Sequence, residues 1–167
     1  NDIRSREIGR HSSYYNKPAE YNVYHNKANN GDDYFICYES FDKKVLFGFI
    51  RLRIVNEKNN LQSFGILKRK GLIRELHVYS NTTRVGTFKE RACQHNGIGS
   101  KLLKIAEKIT MKKGLFGIVV ISGEGVKEYY EKRGYDDIDT FMVKKFNVIK
   151  VLFFYMIYTV FGLLNVF

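Results

Sequence analysis

The segment that most constrains the fold is QHNGIGSKLLKIAEKITMKKG, residues 94–114, in which two glycines come just before a helical pattern. From Ile98 to Ile109, apolar residues recur at helical spacing, and lysines occupy the opposite face. Lysines near its end suit the negative end of the helix dipole, and Gly114 can end the helix. The apolar run that follows, 116–123, is short and bounded by glycines, as expected of a buried strand. The sequence therefore predicts a glycine turn, a helix and a central strand in succession.

Further strand and helix patterns flank this unit. Strands are predicted over 34–40, 45–55, 72–80 and 141–146, and a short helix over 126–135. The order predicts an α/β layer over residues 34–146. Residues 1–33 are polar and basic and are interpreted as an arm with one short helix.

Composition limits the possible partners. The 167 residues suit one domain, and 44% hydrophobic content favours a globular class. The net charge of +11 is spread over the whole chain, which favours a polyanionic partner such as RNA, an acidic cofactor or an anionic membrane. Cys37 and Cys93 are far apart, which argues against a disulfide framework or a cysteine-rich metal knuckle, and no metal site is predicted.

The C-terminal segment has a different character. Residues 151–167 carry no charge and follow three lysines. A helix of that length spans roughly 25 Å at about 1.5 Å per residue, just short of a bilayer core. A buried core helix is the alternative. We expect a tail anchor over 147–167 that leaves the domain on the cytoplasmic side of the mitochondrial outer membrane or the endoplasmic reticulum.

The glycine turn has the residues that a phosphate site needs. A helix N-terminus leaves N–H groups unpaired, and glycines at 97 and 99 clear a path to them. The spacing from Gln94 through Gly97 to Gly99 resembles the acyl-CoA signature of the GNAT acetyltransferases. A Walker A loop fits worse because Ser100 and Lys101 are in the reverse order, and a dinucleotide fingerprint needs a strand directly before the glycines.

The paired tyrosines 129 and 130 lie on the short helix after the central strand. A tyrosine hydroxyl near a departing thiolate could protonate it, because the two groups have similar ordinary pKa values. Packing residues with solvated hydroxyls are the alternative.

Glu75 and His77 alternate with Leu76 and Val78 on the third predicted strand, so the two pairs face opposite sides. Glu75 could act as a general base or hold a water, or it could simply pair with a nearby arginine. The backbone of this strand could also pair with the amides of pantetheine.

Six segments together resemble the C-terminal acetyltransferase domain of the Elongator catalytic subunit family, which modifies tRNA uridine. They occur in family order between residues 2 and 145 and read DIRSREIG, GFIRLR, RELHVYS, QHNGIGSKLLKIAEKI, VISGEGVKEYYEKRGY and MVKK. The resemblance implies a GNAT fold, with a mixed, mostly antiparallel sheet, flanking helices and an added C-terminal hydrophobic helix.

The resemblance also implies site residues. Acetyl-CoA would be held by Glu75, Leu76, His77, Val78, Gln94, His95, Asn96, Gly97, Ile98 and Gly99, and acetyl transfer would fall to Tyr129, Tyr130 and Glu75. Phe141 occupies a position near the cofactor where the family often has tyrosine, so a hydroxyl contact is expected to be lost.

The family's whole enzyme implies partners beyond this segment. A radical-SAM domain with S-adenosylmethionine and a 4Fe–4S cluster would precede the arm and is missing here. The acetyl group would become a carboxymethyl group on C5 of the wobble uridine (U34) of tRNA. In the arm, Arg4, Arg6 and Arg10 would meet tRNA phosphates. Other Elongator subunits would be partners.

Two alternative functions remain open at this point. One is a lysine acetyltransferase acting on histones or other proteins, with a nuclear location, although a charge of +11 disfavours a basic peptide substrate. The other is a non-catalytic module that binds acetyl-CoA and tRNA.

Overall fold

The computed structural model of the chain describes residues 3–27, 30–55, 65–79 and 97–161. Seven strands form one sheet in the order β1-β2-β3-β4-β5-β7-β6. The strands are β1 Ala19–Lys27, β2 Gly31–Ser40, β3 Leu46–Val55, β4 Lys70–Val78, β5 Gly117–Ile121, β6 Asp136–Ile138 and β7 Phe141–Lys145. The α-helices of the described residues are α1 Ile98–Lys112, α2 Lys127–Glu131 and α3 Val148–Phe161.

The sheet is mixed, with one parallel contact at its centre. Strands β1 to β4 pair antiparallel in chain order, and β5, β7 and β6 pair antiparallel at the other side. The two halves meet where β4 pairs with β5 in parallel, and α1 lies on the crossover between these two strands. The predicted fold class, a mixed and mostly antiparallel sheet with flanking helices, is confirmed.

Helix α1 covers one face of the sheet. Its apolar side joins a core with the strands, and the buried members include Leu102, Leu103, Ala106, Ile109, Ile50, Leu52, Ile73, Ile118 and Val120. Gly71 of β4 allows close approach, because a Cβ there would lie 2.8 Å from the Thr110 hydroxyl oxygen of α1. The helical spacing read from Ile98 onward is therefore the packing face of α1.

A bulge interrupts β4 where the site begins. Arg51 of β3 pairs with Glu75, but the next residue, Leu52, pairs with Ile73, so Arg74 is extra. A bulge bends its strand and increases the local twist. The pairing of β4 with β5 also ends at Ile73, so the bend and the separation of the two strands coincide.

Residues 19–27 correct the predicted arm. They form β1, which pairs along its whole length with β2, from Ala19 opposite Ser40 to Lys27 opposite Asp32. The interpretation of 1–33 as an arm with one short helix is therefore wrong for this segment. Its apolar alternation is short, because Ala19, Tyr21 and Val23 pack against the core while the rest of this edge strand is polar and exposed.

The N-terminal segment packs on the sheet. Residues 3–14 form short 3-10 turns, and Ile8 is fully buried. The Arg6 guanidinium forms an ion pair with the Glu39 carboxylate, whose other oxygen accepts hydrogen bonds from the Tyr24 hydroxyl and the Asn22 amide. These contacts fix the segment to β1 and β2.

Helix α3 packs against α1 through a small part of its surface. Val151 is fully buried, and a Cβ at Gly114 would lie 3.1 Å from the Tyr155 ring. Large apolar side chains, among them Ile149 and Val160, remain exposed. None of the helices in the described residues is long and apolar enough to cross a membrane. The tail anchor predicted over 147–167 is thus unsupported, and residues 162–167 lie outside the described part.

Candidate functional site

The candidate site is the gap between β4 and β5. The two strands pair from Lys70 opposite Gly117 to Ile73 opposite Val120, and then separate. Beyond the bulge, residues 75–78 of β4 pair with β3 on one side, while no strand of the described residues pairs with their other side. Backbone N–H and C=O groups on that side can therefore bind an extended ligand.

A cavity of about 440 Å³ adjoins this open edge of β4. Strand β4, the start of α1 and the segment around α2 contribute its walls. The lining residues are Leu76, Val78, Gly97, Gly99, Ser100, Gly125, Val126, Tyr129, Tyr130 and Arg133. The cavity thus joins three elements that the sequence analysis singled out separately.

A larger cavity, of about 860 Å³, lies at the opposite ends of β4 and β5, beside α3. Its charged lining includes Lys113 and Asp32, which neutralise each other in an ion pair of 3.2 Å. The smaller cavity is the better candidate because it adjoins both the unpaired half of β4 and the start of α1.

No side chain of the described residues caps the N-terminus of α1. Gly97 is the N-cap residue with φ +113°, a conformation that other residues rarely adopt, and its carbonyl accepts the Lys101 N–H at 2.8 Å. A Cβ at Gly99 would overlap the Tyr129 hydroxyl. The first N–H groups of a helix lack intrahelical partners, so this end can bind an anion.

The two tyrosines occupy different environments. Tyr130 is 5% exposed, and burial raises its pKa to about 12, with a further contribution from Tyr129. Its ring meets the Tyr129 ring edge to face at 5.2 Å, and the Tyr135 ring at 5.6 Å. Tyr130 therefore keeps its proton at neutral pH, as a proton donor must.

Arg133 adds a cation to the same wall. Its guanidinium lies 3.5 Å from the centre of the Tyr129 ring. Its Nε donates to the Ser100 hydroxyl oxygen at 2.9 Å, and its Nη1 donates to the Tyr129 carbonyl. The end of α2 is thereby tied to the first turn of α1.

Glu75 and His77 lie together on the other face of β4. His77 Nε2 is 3.0 Å from one Glu75 oxygen, and Arg51 Nη1 is 3.7 Å from the other. The His77 ring also stacks on Phe49 at 5.4 Å. Glu75 is thus ion-paired and also accessible. Its geometry fits a general base or water ligand, and it also fits a carboxylate that simply pairs with arginine.

The structure brings together most of the predicted site residues that it describes. Leu76, Val78, Gly97, Gly99, Tyr129 and Tyr130 line the cavity, whereas Gln94, His95 and Asn96 lie outside the described residues. Ile98 is buried in the core instead. Phe141 packs with Leu67, Val119 and Val143 in a separate apolar cluster and is not among the cavity residues.

The three arginines of the predicted tRNA contact differ in exposure. Arg4 and Arg10 are exposed, but Arg6 is partly buried against Glu39. The ion pair with Glu39 gives Arg6 a role in holding the N-terminal segment on the sheet.

Arg133 and Ser100 are cavity residues that the sequence reasoning missed. Arg133 is four residues after Tyr129, a spacing that places two side chains on one helical face. That spacing could have identified Arg133 as a neighbour of Tyr129. Its contact with Ser100 joins separate elements and is visible only in the fold.

Comparison with known proteins gives consistent results. The sequence profile of the acetyltransferase (GNAT) family matches residues 2–135. Elongator complex protein 3 of Saccharomyces cerevisiae is 34% identical over 148 residues, which are 86% of this chain and 27% of that protein. The tRNA uridine(34) acetyltransferase of Dehalococcoides mccartyi is 35% identical over 120 residues, which are 70% of this chain and 26% of that protein.

A solved structure agrees with these matches. Elp3 of the archaeon Methanocaldococcus infernus, with an N-terminal deletion, superposes with a TM-score of 0.69 at 32% identity. The match covers 86% of this chain and 34% of that one. The chain thus spans about a quarter of the length of the curated relatives named above.

Proposed function

The chain belongs to the acetyltransferase (GNAT) family, and from that membership we propose that it binds acetyl-CoA in the cavity between β4, α1 and α2. We further propose that it serves as the acetyl-CoA-dependent part of an Elongator-type enzyme that modifies the wobble uridine of tRNA. The observation that carries the proposal is the open edge of β4 directly beside the glycine-lined start of α1.

The geometry supports binding of two parts of the cofactor by two different surfaces. Residues 75–78 of β4 offer backbone groups to the two amides of pantetheine, as an added strand would use them. The first turn of α1 offers N–H groups and positive dipole charge to the diphosphate. Gly97, where a Cβ would meet nothing within 4 Å, leaves space beside these N–H groups, and Gly99 leaves room for the Tyr129 hydroxyl.

Tyr130 is the proposed proton donor at the sulfur end. Its side chain lines the cavity, and burial raises its pKa. The same apolar surroundings would also raise the pKa of the departing thiol, which is the condition for the proton to pass from the phenol to the sulfur. Donation of this proton to the thiolate that leaves when the thioester is cleaved would prevent the reverse reaction. Glu75, on the other face of the same strand, would hold the water that attacks the thioester carbonyl, with the CoA thiolate as the leaving group.

The proposed acceptor is uridine 34 of tRNA, which a relative's name identifies as its target. A net charge of +11 supports a polyanionic substrate. Arg4 and Arg10, both exposed on the N-terminal segment, are proposed phosphate contacts. S-adenosylmethionine and a 4Fe–4S cluster are proposed only for a separate radical-SAM domain, and other Elongator subunits are proposed partners.

The test is acetyl-CoA hydrolysis by the whole chain, measured alone, with tRNA and with a histone-tail peptide. Turnover that tRNA raises and the peptide leaves unchanged would support the tRNA-modifying function. Acetylation of the peptide without a response to tRNA would indicate a lysine acetyltransferase instead. If the chain binds acetyl-CoA without turnover under any condition, it is a binding module.

A matched pair of glycine variants controls this assay. Gly99→Glu places a carboxylate against the proposed diphosphate position and should abolish binding of acetyl-CoA. Gly99→Gln adds an uncharged side chain of the same size with the same overlap on the Tyr129 hydroxyl, so it should bind acetyl-CoA better than Gly99→Glu. Equal affinity of both variants would contradict the proposed site.

A further inference from the structure

Arg133 is a partly buried cation with no acidic partner in the described part of the chain. No described carboxylate lies within the 4.0 Å that defines an ion pair. Three other partly buried cations are neutralised: Arg53 pairs with Asp33 at 2.7 Å, Lys113 with Asp32 at 3.2 Å and Lys144 with Glu107 at 3.0 Å. Lys70, like Arg133, has no acidic partner among the described residues, but it lies away from the cavity. A charge taken partly out of water without a partner costs free energy, so an anion from outside the chain would complete the site.

The guanidinium has donors available for that anion. Of its five N–H groups, the contacts to Ser100 and to the Tyr129 carbonyl use one on Nε and one on Nη1. The remaining three have no hydrogen-bond acceptor among the described residues. Because Arg133 lines the cavity together with Gly97 and Gly99, these donors and the first turn of α1 border the same space.

Three contacts hold the side chain and backbone of Arg133 in place. It stacks on the Tyr129 ring, and Ser100 fixes its Nε toward α1. The Arg133 carbonyl accepts a hydrogen bond at 2.9 Å from Lys144 Nζ, which also binds Glu107 of α1. The positions of backbone and side chain are therefore both set relative to α1, so little conformational entropy remains to be lost on binding.

We propose that Arg133, stacked on Tyr129, binds the diphosphate of the cofactor and that Tyr129 is a binding residue, not the proton donor. This inference rests on the proposed function and assigns the two tyrosines to different parts of the cofactor. Tyr129 and Arg133 serve the diphosphate end beside Gly99 and Ser100, and Tyr130 serves the sulfur. A planar fork of donors matches phosphate oxygens well, which a lysine cannot reproduce.

The test compares the affinities of three ligands for the whole chain by calorimetry: CoA, dephospho-CoA and pantetheine. Dephospho-CoA keeps the diphosphate and lacks the 3′-phosphate, and pantetheine lacks all phosphates. Arg133→Ala should lower the affinities for CoA and for dephospho-CoA alike, by about tenfold to a hundredfold, and leave the affinity for pantetheine unchanged. Arg133→Lys should recover only part of the loss.

Lys132→Ala is the matched control, since Lys132 is exposed at the end of α2 and, among the described residues, pairs with Glu128 alone. It should bind all three ligands as the unaltered chain does. The inference is overturned if Arg133→Ala loses no more affinity for CoA than Lys132→Ala, or loses affinity for pantetheine equally. A loss for CoA but not for dephospho-CoA would assign Arg133 to the 3′-phosphate and also overturn it.

The outcomes separate this inference from the proposed function. If the unaltered chain binds none of the three ligands, the acetyl-CoA proposal fails, and the role of Arg133 fails with it. If the unaltered chain binds CoA and Arg133→Ala binds it equally well, only the role of Arg133 fails. Since Arg133→Ala could also disturb folding, Ser100→Ala removes the contact that orients Nε and leaves the charge. Ser100→Ala should lower the affinity for CoA by a smaller factor than Arg133→Ala does and leave the affinity for pantetheine unchanged.

Discussion

The Tyr129 hydroxyl lies directly against Gly99, so that a Cβ at position 99 would overlap the hydroxyl oxygen. The next ring atom, Cζ, would be 3.5 Å from that Cβ, which is an ordinary contact. The tightest restriction on residue 99 therefore comes from this one oxygen atom, and Val78 Cγ2, 3.3 Å from the added Cβ, restricts it less. It links the first turn of α1 to α2 across the cavity.

This relationship predicts that Gly99→Ala destabilises the chain when residue 129 is tyrosine but not when it is phenylalanine. In the unaltered chain the added methyl group should cost about 1–3 kcal/mol of unfolding free energy, because it overpacks against the hydroxyl. In a Tyr129→Phe background it should be neutral or slightly stabilising, since alanine favours a helix over glycine by about 1 kcal/mol. Urea unfolding of the four proteins measures both steps. The same loss in both backgrounds would show that the hydroxyl does not restrict position 99.

Tyr130→Phe should separate chemistry from binding. Removing the proposed proton donor should lower kcat for acetyl-CoA turnover by about a hundredfold or more and leave KM nearly unchanged. Tyr129→Phe should retain most of kcat. Steady-state kinetics of the two variants measure this contrast, and a larger fall of kcat in Tyr129→Phe would reverse the assignment.

The pH profile checks the same assignment. Burial raises the pKa of Tyr130 to about 12, so the phenol stays protonated through neutral and mildly alkaline pH. Loss of its proton should therefore not lower kcat below about pH 11. A fall of kcat between pH 8 and 10 that disappears in Tyr130→Phe would contradict the environment of Tyr130 described above.

The elements around the site could be predicted from sequence because each has a local pattern. The spacing of Ile98, Leu102 and Ile109 identifies α1, an apolar run identifies β3, and alternation identifies the two faces of β4. The alternation also placed Leu76 and Val78 opposite Glu75, as the cavity and the Glu75–His77 contact confirm. These features depend on residues a few positions apart, which a sequence displays directly.

The features that sequence reasoning missed depend on partners far along the chain. Strand β1 has only a short apolar alternation, over residues 19–23 of a polar segment, and its pairing with β2 extends it to Lys27. Phe141 belongs to the face of β7 that packs with Val119 and Leu67, and no local pattern identifies which face that is. Likewise, Arg133 meets Ser100 only because α2 folds back on α1.

Asp42 should contribute to stability in a defined pH range. Hydrogen bonds from the Ser40 and Tyr14 hydroxyls lower the pKa of its carboxyl to about 2, from an ordinary value of 3.8. A group whose pKa is depressed by folding stabilises the fold above its unfolded pKa, and this contribution is lost as pH falls. The stability difference between the unaltered chain and Asp42→Asn should therefore be constant above about pH 4.5 and shrink toward pH 2. Unfolding titrations of both proteins measure it, and a difference that does not change with pH would exclude this role.

Glu39→Gln, which keeps the size and shape of the side chain, should weaken the attachment of the N-terminal segment to the sheet. Burial alone would raise the pKa of the Glu39 carboxyl, but hydrogen bonds from Tyr24, Arg6 and Asn22 outweigh it and hold the pKa below its usual value. The amide oxygen of glutamine can still accept from Tyr24 and Asn22, while its NH₂ group would face the Arg6 guanidinium, donor to donor. The expected loss is about 2 kcal/mol or more of unfolding free energy.

A second variant tests whether that loss comes from Arg6. Arg6→Met in the Glu39→Gln background removes the conflicting donors and the unpaired charge, so part of the lost stability should return. Urea unfolding gives the coupling free energy of the pair, and hydrogen exchange at the Ile8 amide reports whether the segment has detached. If the double variant is less stable than Glu39→Gln alone, the ion pair is not what holds residues 3–10 on the sheet.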